Sequence, residues 1–253
     1  MESAFKPLTF NRGPQMKNRF MLAPLTNQQS NEDGTCSQEE HDWLTKRAEG
    51  GFGLTMTCAS HVQAEGKGFP GQLGIFSDEQ LPGLKKLAST IKGHDSIAIA
   101  QLYHGGMRCP KDVIGMQPLS SSDNDKWGAR AMTTSEVEKM IVSFIDAAVR
   151  AETAGFHGVE LHGAHGYVLA QFLSPVLNQR SDKFGGSLAA RQRPILEIIE
   201  TKFSSTVLLL CILDLFNLSI SELTELLISL NSFTKLIKSL FLATKSVSQF
   251  TSS

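Results

Sequence analysis

The densest group of chemically capable side chains in this sequence is His162-Gly163-Ala164-His165-Gly166-Tyr167, two imidazoles and a phenol within six residues. Two histidine N–H groups can converge on one carbonyl oxygen and polarise it, and a phenol nearby can deliver a proton to the adjacent carbon. The small residues between them leave room for a ligand. A plainer alternative has the histidines capping a loop and the tyrosine packing. Zinc is a third use for a histidine pair. No HExxH motif and no closely spaced carboxylate accompanies this one, so no metal is expected. Gln101 closes the apolar run Ile97-Ala98-Ile99-Ala100. An amide there could pair with a planar heterocycle that carries adjacent donor and acceptor groups. A satisfied amide at a strand end is the alternative, and Thr26, at the end of RFMLAPLT (19–26), carries the same ambiguity.

These groups need regular elements to hold them, and residues 19–203 alternate strand-like with helix-like segments. Strands are expected over 19–26, 52–62, 97–104 and 158–162, and helices over 37–50, 77–93, 133–155 and 188–202. Ser37 with Glu40, and Thr133 with Glu136, have capping-box spacing, and Gly50-Gly51 and Gly155 stand where those helices should stop. Ile141, Phe144, Ile145, Ala148 and Val149 would give the 133–155 helix its apolar face. The strands are short continuous apolar runs, which suits a parallel sheet covered on both faces. A doubly wound sheet and a (β/α)8 barrel both fit this α/β order. Neither GxGxxG nor GxxxxGK[ST] occurs, which favours the barrel. A barrel builds its active site at the C-terminal strand ends. Those ends offer Pro24, Thr26, Asn27 and Gln28, then Thr57, Ala59, Ser60 and His61, then Gln101, Tyr103 and His104, and finally His162, His165 and Tyr167.

Composition narrows the partners. The chain has 253 residues, 24 Lys+Arg against 25 Asp+Glu, and a formal net charge of -1. So balanced a chain has no electrostatic footprint for nucleic acid or an anionic membrane surface. The longest apolar stretch, 207–220, is interrupted by Asp214 and Asn217 and is too short to span a membrane. The four cysteines show no CxxC spacing and residues 1–14 no apolar targeting run, so a reduced, cytoplasmic setting is expected.

The character of the chain changes near Phe203. All 21 glycines and all 9 prolines precede it, and the last 50 residues hold no arginine and 24 Leu or Ser. One reading is a helical extension, supported by the spacing of Leu223, Leu226, Leu227 and Leu230. The preferred reading is a segment never selected as part of the fold, as after a shifted reading frame. The expected organisation is therefore a half-barrel over 1–203 and a helical or disordered tail over 204–253, outside the fold.

The segment from about Asn18 to Glu200 resembles the Old Yellow Enzyme family of FMN-dependent oxidoreductases. The resemblance is carried by NRFMLAPLT (18–26), QLYHGGMR (101–108), AGFHGVELHGAHGYVLAQFLSP (154–175) and NQRSDKFGGSLAARQR (178–193). It implies a TIM barrel with FMN at its mouth and NAD(P)H as reductant. It also implies hydride transfer from flavin N5 to the β-carbon of an α,β-unsaturated carbonyl compound, a small-molecule enone. By position in the motifs, Pro24, Thr26 and Ala59 would line the flavin edge and Gln101 would pair with its pyrimidine portion. His162 and His165 would hold the substrate carbonyl, and Tyr167 would donate the proton. Thr26 stands where some bacterial members have a cysteine, which should shift the flavin potential. The resemblance ends after about four of the eight β/α units. In the family, later strands supply an arginine to the flavin and Gly-rich loops to its phosphate, and the last 50 residues contain neither residue type. On that ground FMN is expected to bind weakly or not at all. The alternatives are an inactive truncated or frameshifted member, and a half-barrel that needs a partner chain or self-associates through open edges.

Overall fold

The computed structural model describes residues 2–10, 13–202 and 208–213. β1 (Met21–Leu22) is followed by α1 (Gln38–Glu49), β2 (Leu54–His61), α2 (Leu81–Gly93) and β3 (Ile97–Tyr103). An excursion of short pieces comes next: α3 (Lys111–Ile114), β4 (Leu119–Ser120) and β5 (Arg130–Ala131). Then come α4 (Thr134–Ala154), β6 (Gly158–Gly163), α5 (Val168–Leu173), α6 (Leu188–Arg191), α7 (Arg193–Lys202) and β7 (Leu208–Leu213).

β1, β2, β3, β6 and β7 form one parallel sheet in that order, while β4 and β5 pair separately. Each strand adds to the same edge as the chain advances. A doubly wound sheet reverses at a switch point. Among the described strands there is no reversal, so the winding is that of a barrel. α1 packs on α2, α2 on α4 and α4 on α7, a row of helices along one face.

Strand alternation divides the sheet. Ala98, Ala100, Leu102, Val159 and Leu161 join the large core shared with the helices. Leu54, Met56, Ile97 and Ile99 gather on the other face with Met16, and Leu8 and Phe10 pack against them. The N-terminal half of that inner face is thus apolar, and its C-terminal half is left for polar residues. A bulge refines the division. Met56 lies opposite Ile99 but Ala59 opposite Gln101, so β2 holds one extra residue between them. Strict alternation from Leu54 and Met56 would turn Ala59 towards the helices. The extra residue turns it inward, as bulges near active sites do. Thr57 Oγ1 accepts the Gln101 backbone N–H at 3.0 Å within this irregularity.

Several expected boundaries move for local reasons. The first strand shrinks to Met21–Leu22, because Pro24 has no N–H for a ladder. The 188–202 helix breaks at Gln192, with Pro194 in the first turn beyond the break. Thr133 and Glu136 form the reciprocal capping box, and Gly155 at φ +88° ends α4. Ser37 caps α1, but the Glu40 carboxylate turns to the Ser30 hydroxyl instead of closing a box. On α4 the buried stripe runs through Val137, Met140, Ile141, Phe144, Ala147, Ala148 and Ala151, and Val149 is exposed. Leu208–Leu213, assigned by the sequence to a tail outside the fold, is a strand paired with β6 from Gly158↔Leu208 to Gly163↔Leu213. Six apolar residues in a row offer no polar face for a surface helix, and they suit a strand covered on both sides. The Leu223–Leu230 spacing lies outside the described residues.

Candidate active site

The C-terminal end of the sheet gathers the candidates from three strands. Ala59 of β2 stands opposite Gln101 of β3, and Gln101 opposite Glu160 of β6. Gln101 Nε2 donates to Glu160 Oε2 at 2.7 Å, and both side chains are buried. Burial pushes the Glu160 carboxyl up to about 7, against the pull of the Gln101 bond.

Two residues further along β6, His162 opens the aromatic cluster. Its ring centroid lies 5.1 Å from that of His165 and 5.1 Å from that of Tyr167, and His165 and Tyr167 are 6.4 Å apart. All three contacts are edge-to-face. Tyr103, the last residue of β3, sits 4.5 Å from Tyr167 and 5.9 Å from His162.

The turn that brings these rings together is built from the backbone up. His165 at φ +57° and Gly166 at φ +68° are both left-handed, a conformation that histidine tolerates better than most residues. Arg108 donates to the His165 carbonyl at 2.6 Å and lies 5.1 Å over the Tyr167 ring. The fully buried Gln171 donates to the Gly166 carbonyl at 2.8 Å. Its Oε1 accepts from the Met107 N–H at 3.2 Å and the Ser120 hydroxyl at 3.1 Å. A Cβ at Gly106 would lie 2.4 Å from that oxygen, so the glycine makes room for the carboxamide. Gln171 thereby ties the histidine turn to the loop after β3.

His162 is buried, and its Nδ1 has no partner among the described residues. Burial, then the charge of His165, pushes its pKa down to about 4. The ring is therefore neutral at pH 7 and carries one N–H, with no positive charge to balance. In the folded protein its NMR resonances are expected to stay constant between about pH 6 and 9 and to titrate near 4. A midpoint above about 6, the ordinary histidine range, would contradict this account.

Pro24 and Thr26 stand apart on the loop that leaves β1. Pro24 is half-buried and Thr26 exposed. The Leu25 backbone between them reaches the Cys58 thiol, next to Ala59, so the loop runs along the end of β2. The structure thus brings His162, His165 and Tyr167 into mutual contact, sets Ala59 beside Gln101, and places Pro24 and Thr26 at the rim. Counting by two from His162 along β6 points to Glu160, and from Gln101 along β3 to Tyr103, which sequence reasoning did not assign roles. Arg108 and Gln171 had no signal beyond membership of the QLYHGGMR and QFLSP segments. The NQRSDKFGGS run proves structural: Asn178 Nδ2 donates to the Phe172 and Phe184 carbonyls at 2.8 Å each, and Arg180 bridges to Ser121, Met132 and Asp182.

Residues 3–204 match the NADH:flavin oxidoreductase / NADH oxidase family. The chain belongs to that family. It is 45% identical over 187 residues to the probable NADH-dependent flavin oxidoreductase YqiG of Bacillus subtilis (strain 168), covering 72% of this chain and 50% of the relative. It is 40% identical over 197 residues to the NADPH dehydrogenase of Bacillus cytotoxicus, covering 77% of this chain and 57% of the relative. The Old Yellow Enzyme homologue from Zymomonas mobilis superposes with a TM-score of 0.73 at 30% identity, over 78% of this chain and 59% of that one. The chain spans about half the length of the curated relatives it matches. The NADH:flavin oxidoreductase family consists of FMN enzymes reduced by NADH or NADPH, and its Old Yellow Enzyme members are TIM barrels. The five parallel strands described here are part of such a barrel. Among the described residues no helix is long and apolar enough to cross a membrane.

Proposed function

We propose that this chain forms the substrate side and the ring-binding side of an FMN-dependent ene-reductase. Its reaction passes a hydride from NAD(P)H, by way of the flavin, to the β-carbon of an α,β-unsaturated carbonyl compound. The observation that carries this reading is the convergence of His162, His165 and Tyr167 beside Gln101 and Ala59 at one end of a parallel sheet.

The residues present suit the ring end of FMN. Gln101 offers an amide edge to the pyrimidine portion, Ala59 takes up little space beside it, and Pro24 and Thr26 border the rim. When bound, FMN supplies hydride acceptance and donation. The rest is the chain's own work. His162 and His165 donate N–H groups to the substrate carbonyl oxygen, and these bonds strengthen as negative charge develops there. Tyr167 gives its phenolic proton to the α-carbon, completing net addition of hydrogen across the double bond. Its half-exposed position lets solvent return the proton.

A second reading is a half-barrel that works only when strands from another chain complete it, a second copy meeting its open sheet edges being one way. The five described strands support it, against the eight that close such a barrel. The functional unit in either reading is residues 1–203 together with the strand at Leu208–Leu213. The substrate is a small molecule, and the setting is cytoplasmic, in keeping with the free thiols of Cys36, Cys58 and Cys109.

The deciding test is the visible spectrum of the purified chain after incubation with FMN and desalting, followed by anaerobic NADPH and NADH oxidation with 2-cyclohexenone. Retained flavin and enone-dependent oxidation would support the first reading, and would show that the missing arginine and Gly-rich loops are not required. A folded, colourless protein that leaves the FMN spectrum unchanged, alone or self-associated, would refute the first reading.

A further inference from the structure

We propose that Glu160 is a positioning residue that fixes which way the Gln101 carboxamide faces. The inference rests on the FMN reading above for its purpose, but its geometry stands without it. Gln101 and Glu160 are directly opposite on adjacent parallel strands, and their side chains meet on the inner face at 2.7 Å. A free carboxamide can rotate by half a turn and exchange its oxygen for its nitrogen, because the two ends have nearly the same shape. Above about pH 7, where Glu160 is ionised, the carboxylate only accepts hydrogen bonds, so the Gln101 NH2 must be the end that meets it. That leaves the carbonyl oxygen and the second N–H as a donor–acceptor edge with one fixed order. The pyrimidine portion of a flavin carries an N–H flanked by two carbonyl oxygens, so the order decides which of the two carbonyls the Gln101 N–H meets while its oxygen takes the flavin N–H.

Two further observations point the same way. The Gln101 backbone is itself anchored, through the bulge, by Thr57 Oγ1 at 3.0 Å, so the amide swings from a fixed base. Glu160 is fully buried, and its Oε1 has no partner among the described residues. A carboxylate placed only for stability would use both oxygens, because an unpaired buried acceptor costs free energy. A leucine there would remove that cost without leaving a charge behind.

The test compares the full chain with Glu160→Gln and Glu160→Leu at about pH 8, each labelled with 15N-glutamine, with Gln101→Ala used to assign the resonance. In the unaltered chain one Gln101 side-chain proton is expected to be shifted downfield and protected from solvent exchange. It should move upfield but stay distinct in Glu160→Gln, whose amide oxygen still accepts. It should merge with ordinary glutamine signals in Glu160→Leu. Gln101 signals that are the same in all three chains overturn the proposal, and Glu160→Gln alone decides it if Glu160→Leu does not fold. Quenching of FMN fluorescence is the second readout. Affinity is expected to fall about tenfold in Glu160→Leu and much less in Glu160→Gln, the scale of one hydrogen bond to a charged group. Amide signals that respond while none of the three chains quenches FMN establish the orientation and refute the FMN reading instead.

Discussion

His162→Ala is expected to lower kcat/KM for 2-cyclohexenone by about 10²–10³-fold, the usual cost of losing one donor aimed at a developing oxyanion. The side chain is suited to that task because it is buried, neutral at pH 7 and holds a ring nitrogen with no partner among the described residues. Tyr167→Phe should cost about 10²–10⁴-fold with the same substrate, the range for a positioned general acid. Its ring keeps its edge contacts with His162 and Tyr103, so the loss is that of the hydroxyl, with its proton and its hydrogen bond to Tyr103. Flavin reoxidation by oxygen involves no substrate carbonyl, and in both variants it should keep its rate. Steady-state assays with enone and with oxygen, run in parallel on whichever assembly retains flavin, read the split. Equal losses with both acceptors would mean the cluster serves folding or flavin binding, and the proposed roles would fall.

Arg180→Met is expected to destabilise the fold by about 3–5 kcal/mol, the cost of breaking a largely buried pair by removing one partner. Arg180 donates from Nε to Asp182 at 2.9 Å and from its terminal nitrogens to Asp182 at 2.5 Å and the Ser121 carbonyl at 3.0 Å. It also reaches the Met132 carbonyl. These bonds tie the loop after α5 to the excursion before α4. The chain passes so closely that a Cβ at Gly185 would lie 2.2 Å from the Arg180 carbonyl oxygen. The Arg180 guanidinium, with help from Thr134, holds the Asp182 carboxyl well below the usual carboxylate range. A depressed carboxyl contributes its stability above the unfolded value, about 3.9, and loses it as pH falls towards the folded one. The gap between wild type and Arg180→Met should therefore be full at pH 7 and shrink in acid. Urea midpoints at neutral pH and at about pH 3.5 test this, and a gap that widens in acid would contradict it. Arg180→Lys should fall between, since a point charge replaces the fork but cannot reach all four acceptors.

Much of the fold could be read directly. Continuous apolar runs and the Thr133–Glu136 box mark β2, β3, β6 and α4 because those signals are local. The shortness of β1 was also local information, in Pro24. The β2 bulge was not legible, since it exists only in the pairing of Met56 and Ala59 with a neighbouring strand. The site divides in the same way. The two histidines and Tyr167 are close in sequence and stand out together. Gln101 and Glu160 are 59 residues apart, and nothing in either segment announces the partner. Glu160 is flanked by Val159 and Leu161, so it reads as a lone charge in an apolar strand until the register is known. Leu208–Leu213 went unread for the opposite reason: the composition of its neighbours outweighed its own apolar run.

The order of the large sheet bears on how the chain is made. β2 joins β1, β3 joins β2, β6 joins β3 and β7 joins β6, so no described strand must be threaded between two that are already paired. A polypeptide leaving the ribosome can therefore complete each pairing as soon as the next strand emerges, with only the intervening helix or excursion as the loop to close. Pairings of short reach form faster than those that wait for distant segments. β1 is one edge throughout and the other is the strand most recently synthesised, so one of the two sites of misassembly moves along the chain with translation rather than waiting for release.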